Sequence, residues 1–337
     1  MPPDATLATV MPDLSARTER SLAQRLLSSQ AFWVTIALII MCAVMSVLQP
    51  AAFASGENFY NITRNFAFIG IMALGMSLVI ITGGIDLSVG SVMGLVAIVA
   101  GLLLRAAYPW WMAMGAGLAA GLAAGAVNGL LIAYVGLSAF VVTLGMLSIA
   151  RSLAIVLSAN QMIYEFGPDA NIVYAIGGGQ ILGIANPVWV LVLLTIIFAL
   201  ILKLSAWGRH LYAIGGNEQA ALLTGVPVAG AKIVAYIVSA TMAALAAVLI
   251  IGWQGSAINA LGTGYELRVI ASTVIGGANL MGGEGGAYGA FIGAALIEVI
   301  RNSLLMAGVD SNWQGTFVGV FIVLAVLLEK LRGRRRA

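Results

Sequence analysis

The stretch ITRNFAFIGIMALGMSLVIITGGIDLSVGSVMGLVAIVAGLLL, residues 62–104, decides the fold. It holds two apolar runs, 62–82 and 87–104, separated by Gly83, Gly84 and Asp86. Each run is near the length that crosses ~30 Å of hydrocarbon as a helix. A carboxylate inside such a segment costs about 2.5–3.5 kcal/mol on insertion scales, so Asp86 needs a partner or water. The stretch therefore reads as two membrane spans joined by a glycine break.

The rest of the chain repeats this pattern. Of 337 residues, 61% are hydrophobic and 9% charged, and the mean hydropathy is +1.03. A soluble domain carries roughly 25% charged residues, so most of the outer surface must face lipid. Further apolar runs lie at 31–48, 111–134, 139–158, 187–204, 231–253, 267–281, 287–306 and 314–328. The expected fold is an all-α, polytopic integral membrane helix bundle of about ten transmembrane helices. The run 267–281 is short and ends in glycines, so it is expected to be broken or re-entrant. Residues 1–30 form a polar leader, 31–329 the membrane domain and 330–337 a basic tail. Ala52-Phe53-Ala54 resembles a signal-peptidase site, but the apolar run before it exceeds the usual signal core, which favours a retained first helix.

Charge sets the orientation. Arg17, Arg20 and Arg25 precede the first run; Lys203, Arg209 and Lys232 flank the loop after the sixth; Lys330, Arg332, Arg334, Arg335 and Arg336 end the chain. With ten spans these clusters share one side, which places both termini in the cytoplasm. The net charge of +3 is thus a topology signal rather than a nucleic-acid one.

Glycine marks packing and breaks. Gly117, Gly121, Gly125 and Gly129 stand at i+4 spacing and form one groove for a neighbouring backbone; Gly285, Gly289 and Gly293 repeat the spacing. The segment Gly83–Gly90 aligns with Gly276–Gly283 at four of eight positions, with Asp86 opposite Asn279. An internal duplication with broken helices is expected, the halves running in the same direction.

Polar residues in apolar surroundings are the candidate route residues. Asp86 either lines a solute path, or fixes a broken helix there, or caps the following helix, and Ser88 is expected near the same route. Asn279 holds the matching place in the second break. Arg151 is expected to pair with an acidic group or to snorkel outward. Asn128 suits helix–helix hydrogen bonding, and Glu298 with Arg301 a local ion pair.

Several classes are excluded or unsupported. Cys42 and His210 are the only residues of their kinds, so no disulfide, CxxC pair or multi-His metal site is expected. No G-x-x-x-x-G-K-[ST] loop occurs, so the chain does not bind ATP in that manner. Without H-E-x-x-H or G-x-S-x-G there is no catalytic constellation, and an enzyme is not expected.

The loop 206–230 is the longest between spans on the cytoplasmic side. Asn217 is a good helix N-cap, Glu218 suits a first turn, and Gly225 with Pro227 is a stop. A short helix over 218–224 between glycine hinges is expected, with Ala220, Ala221, Leu222 and Leu223 forming an apolar face. Such a face docks into a partner's groove or packs on the chain's own membrane domain.

Gly208-Arg209, then Tyr212-Ala213-Ile214-Gly215-Gly216-Asn217-Glu218, then Ala221 and Gly225, resemble the coupling loop of bacterial ATP-binding-cassette permeases of the ribose/xylose/arabinose/galactoside family. Thr82–Ser91, Ala139–Met146, and Val274-Ile275-Gly276-Gly277 through Gly282-Gly283 resemble the same family, over about 58–328. The resemblance implies a permease subunit in a bacterial inner membrane, paired with a second copy. It implies cytoplasmic ATPase subunits, which hold the ATP and Mg, and a periplasmic sugar-binding protein; no cofactor is expected on this chain. The loop residues, Leu222 included, would then carry ATPase motion into the membrane. A self-sufficient channel or ion-coupled carrier is the competing reading.

Overall fold

The computed structural model describes residues 29–310, 313, 315–317 and 319–320. Most of the leader, most of the run 314–328 and the basic tail lie outside the described residues. The described helices begin with α1 (Gln30–Leu48), α2 (Gly56–Ile81), α3 (Val89–Arg105), α4 (Trp110–Ala133), α5 (Ala139–Leu157), α6 (Ala170–Gly178) and α7 (Asn186–Leu204). A two-stranded hairpin, β1 (Gln180–Ile181) with β2 (Ile184–Ala185), precedes α7. Then follow α8 (Ala206–Gly216), α9 (Glu218–Leu223), α10 (Val228–Gln254), α11 (Tyr265–Ile275) and α12 (Ala287–Met306).

Seven of the described helices, α1, α2, α4, α5, α7, α10 and α12, are long and apolar enough to cross a membrane, and α3 is a shorter apolar one. α2 and α10 form the centre. α10 packs on α4, α2, α3 and α6, and α12 packs on α2, α11 and α1. α1 fully buries only Val34 and Met45, and residues such as Ile39, Ile40, Val47 and Leu48 point outward.

The glycine groove of α4 seats α10. A Cβ on Gly121, Gly125 or Gly129 would stand 2.7–2.8 Å from Ala244, the Tyr236 carbonyl or Ile233, and Gly117 faces Val96 and Ala100 of α3. The close approach of α10 needs Gly121, Gly125 and Gly129 bare. The second stripe differs from its expected form. Gly289 and Gly293 do bring α12 against the α11 backbone at Gly276 and Ser272, but Gly285 precedes the helix and belongs to the turn before it.

The weak run 267–281 resolves into two parts. Its helix, α11, is 11 residues long, about 16 Å at 1.5 Å per residue, too short to span. The preceding segment, 256–264, is non-helical and runs beside α3. A Cβ on Gly101 would meet Ala257, on Gly94 the Leu261 carbonyl, and on Gly90 the Gly262 carbonyl. Non-helical backbone at this depth must find internal partners. Arg151 supplies them, since its guanidinium donates to the Asn259 carbonyl at 2.5 Å and the Leu261 carbonyl at 3.0 Å. Glu266 is the acidic group whose charge bears on Arg151. The expected pairing of Arg151 is thus made mainly with carbonyls.

Candidate functional site: two glycine breaks and the loop helices

Both breaks end their helix in the same way. After α2, the Gly83 N–H donates to the Ile80 carbonyl (2.8 Å) and the Gly84 N–H to the Val79 carbonyl (3.0 Å). After α11, the Gly277 N–H donates to the Val274 carbonyl and the Ala278 N–H to the Thr273 carbonyl, both at 3.0 Å. These are paired 5→2 and 6→1 bonds of a Schellman cap. The turning residue is Gly83 (φ 78°) in one and Gly277 (φ 105°) in the other, a left-handed backbone that favours glycine. An Asx turn follows each: Asp86 Oδ1 accepts from the Ser88 N–H at 3.0 Å, and Asn279 Oδ1 from the Met281 N–H at 2.8 Å. The second break is one residue shorter between its turning glycine and its Asx residue.

They differ in what surrounds them. Asp86 is fully buried, as are Ser88, Ser239 and Asn128. Its Oδ1 also accepts from the Ser88 hydroxyl at 2.6 Å and its Oδ2 from the Ser239 hydroxyl at 2.9 Å. The Asn128 amide donates to Ser88 Oγ at 3.0 Å. The first break is therefore tied to α10 through Ser239 and to α4 through Asn128. Both carboxylate oxygens are occupied, and the Ser88 N–H and hydroxyl that Oδ1 engages stand directly before α3. Asn279 is half-buried; its side chain bonds within its own turn and its N–H donates to the Glu284 carbonyl at 3.2 Å, within the same break. Arg151 sits with the 256–264 segment, apart from both breaks.

The loop departs from the expected single helix between glycine hinges. Gly208, Gly215 and Gly216 are helical, because Ser205 starts α8 by accepting from the Gly208 N–H at 2.9 Å. Sequence reasoning missed this helix; Ser205, a good N-cap type directly after an apolar run, was its available signal. Asn217 then caps α9 as expected, its Oδ1 accepting from the Ala220 N–H at 2.9 Å. Glu218 pairs with Lys232 of α10 at 2.6 Å. On α9, Ala221 is buried while Leu222 and Leu223 are 63% and 88% exposed. Arg209 reaches back to the Leu204 carbonyl at 3.3 Å, and Gly225 begins the turn into α10.

The two breaks touch each other and α8. The Gly283 N–H donates to the Ile81 carbonyl at 2.9 Å. A Cβ on Gly282 would stand 2.8 Å from Gly215 Cα and 2.9 Å from the Gly83 nitrogen. Tyr212 of α8 donates its hydroxyl to the Gly285 carbonyl at 2.9 Å. Burial pushes the Tyr212 phenol up from its ordinary value, so it remains a neutral donor. Both breaks thus lie on one side of the bundle, the side that carries the loop.

On the far side, Glu298 is buried against Arg301 as an i,i+3 ion pair, and Asn58 and Asn302 bond reciprocally at 2.8 and 3.2 Å. Among the described residues no cluster of three or more His, Cys, Asp or Glu could hold a metal.

Comparison with known proteins gives this architecture its place. Residues 58–326 match the family model described as branched-chain amino acid transport system, permease component. The chain belongs to this permease family. The permease is 37% identical to the ribose import permease RbsC of Escherichia coli strain K12, over 87% of this chain and 92% of that protein. It is 38% identical to the ribose import permease RbsC of Bacillus subtilis strain 168, over 88% and 91%. It is 34% identical to the fructose import permease FrcC of Rhizobium meliloti, over 90% and 86%. No solved structure matches the permease.

Proposed function

We propose that this chain is the membrane-spanning permease subunit of an ATP-driven importer for a monosaccharide or related small polar solute, held as a multi-pass protein of the bacterial inner membrane. The carrying observation is its likeness to ribose and fructose import permeases over nearly the whole length of both partners. The family description names amino acids, but the relatives at 34–38% identity carry sugar names, and these decide for sugar. ATP is hydrolysed on separate cytoplasmic subunits. Two copies of the permease stand together, and a periplasmic binding protein delivers the solute.

The geometry supports a docking role for α9. Leu222 and Leu223 face outward while Ala221 and the Glu218–Lys232 pair hold the helix against α10. A short, firmly capped helix with two projecting leucines fits a groove on an ATPase subunit. Lys203, Arg209 and Lys232 on this side agree with a cytoplasmic location. For the route we propose the polar faces beside the breaks, Asn279 first, with Asp86, Ser88 and Arg151 holding the walls.

The test is reconstitution with the cognate ATPase subunits and binding protein. Uptake of D-ribose or D-fructose into proteoliposomes should require all three components and ATP. Replacing Leu222→Ser should lower retention of the ATPase subunits about tenfold, the order lost when an interface hot spot is truncated, without lowering membrane insertion. Uptake by the permease alone would instead establish a channel or ion-coupled carrier.

A further inference from the structure

α8 meets the bundle through backbone rather than through side chains. Gly215, in its last turn, lies so close that a Cβ there would fall on the Ile81 carbonyl oxygen and the Gly283 nitrogen. Those two atoms already bond to each other across the two breaks. Tyr212, one turn earlier on α8, adds its hydroxyl bond to Gly285 at the other end of the same turn. Three segments far apart in sequence therefore share one junction: the end of α2, the second break and α8.

This contact is selective. Around Gly216, Gly225 and Gly230 a Cβ would meet nothing within 4 Å, so the loop glycines are not uniformly pressed against the bundle. The first break is closed by buried side chains from α4 and α10. The second lacks such bolts: Asn279 bonds within its own turn, and Met281 at its tip is 84% exposed. Backbone contact with α8, combined with fewer buried side-chain bonds to the bundle than the first break has, places the second break to follow α8 when α8 moves.

We propose that the second glycine break, residues 276–286, is where motion of the loop helices enters the membrane bundle, with Gly215 and Tyr212 as positioning residues that lock α8 to it. The proposal rests on the reading of the loop as the ATPase-docking element. Displacement of α9 and α8 is delivered to the Gly282–Gly283 turn, and from there to α11 and α12, the two helices that flank it. The Ile81 carbonyl passes the same displacement to the end of α2.

Electron spin-label distances test this. Label pairs are placed at Ala213→Cys and Met281→Cys in the full chain carrying Cys42→Ser. In the permease alone, in lipid nanodiscs, the wild-type junction should give one narrow distance distribution. Gly215→Ala should at least double its width, and Tyr212→Phe, which leaves packing intact, should widen it less. This arm does not depend on ATPase docking. In the complex with ATPase subunits, ATP should shift the 213–281 distance by less than about 2 Å. It should shift Met281 relative to a label at Leu182→Cys, on the exposed hairpin, by about 5 Å, the scale of one helical turn.

Independent movement of α8 and the second break on ATP addition would overturn the proposal. So would wild-type distributions in both Gly215→Ala and Tyr212→Phe. Loss of ATPase retention in Leu222→Ser, measured separately, reports on the docking reading alone. If that docking reading fails while the narrow wild-type pair and its broadening hold, the junction stands as a lock without its proposed driver, and the transmission role is overturned.

Discussion

The first break and the second are built from the same local chemistry and put to different use. Each ends a helix with a Schellman cap on glycine and follows it with an Asx turn. The first then disappears into the bundle, its carboxylate spending three hydrogen bonds and its serine reached by Asn128 of α4. The second stays near the surface beside α8, held by backbone contacts and one tyrosine hydroxyl. What distinguishes the two joints is the number of buried side chains bonded across each, since the helix-ending motif is shared.

Asp86→Ala is the largest expected perturbation of that contrast. It strands the Ser88 and Ser239 hydroxyls in a dry interior, at about 1–3 kcal/mol for each orphaned buried group. Thermal unfolding in detergent should show a fall of several degrees or loss of folded protein altogether. An unfolding temperature equal to wild type would mean that the carboxylate bolts nothing. Next comes the wall behind the first break. Gly125→Val pushes a side chain into Ala240 and the Tyr236 carbonyl and should cost about 1–3 kcal/mol by overpacking, read in the same melt. Asn279→Ala is the smallest. It removes one half-exposed Asx bond and should cost about 1 kcal/mol or less, while ATP-driven D-ribose or D-fructose uptake falls by more than stability does. A melt as damaged as that of Asp86→Ala would erase the distinction between the two joints.

Much of this was legible in the chain itself. The apolar runs at 31–48, 139–158, 187–204 and 287–306 match α1, α5, α7 and α12 within a residue or two, because helix length is dictated by the hydrocarbon it crosses. Asn217 was readable as a cap because capping is a bond between near neighbours. The likeness of the two breaks was visible as four shared positions, and both end their helix with the same kind of cap. Arg151 was readable only as a costly residue needing partners. Those partners, the carbonyls of Asn259 and Leu261, lie more than a hundred residues away. The non-helical segment 256–264 escaped notice for the same reason: it lies against the bare faces of Gly90, Gly94 and Gly101, far away in sequence.

Read along the chain alone, the residues specify a membrane helix bundle, seven of its long apolar helices, two glycine breaks, a capped loop helix and a resemblance to sugar permeases. Each of these is written in local composition, length or neighbouring residues. The tertiary structure alone decided what the glycines are for. Gly215 and Gly216 are adjacent and identical in composition, yet one is pressed against two other backbones and the other borders open space. A residue without a side chain carries no mark of its partner. Its role is set by which distant backbone arrives beside it.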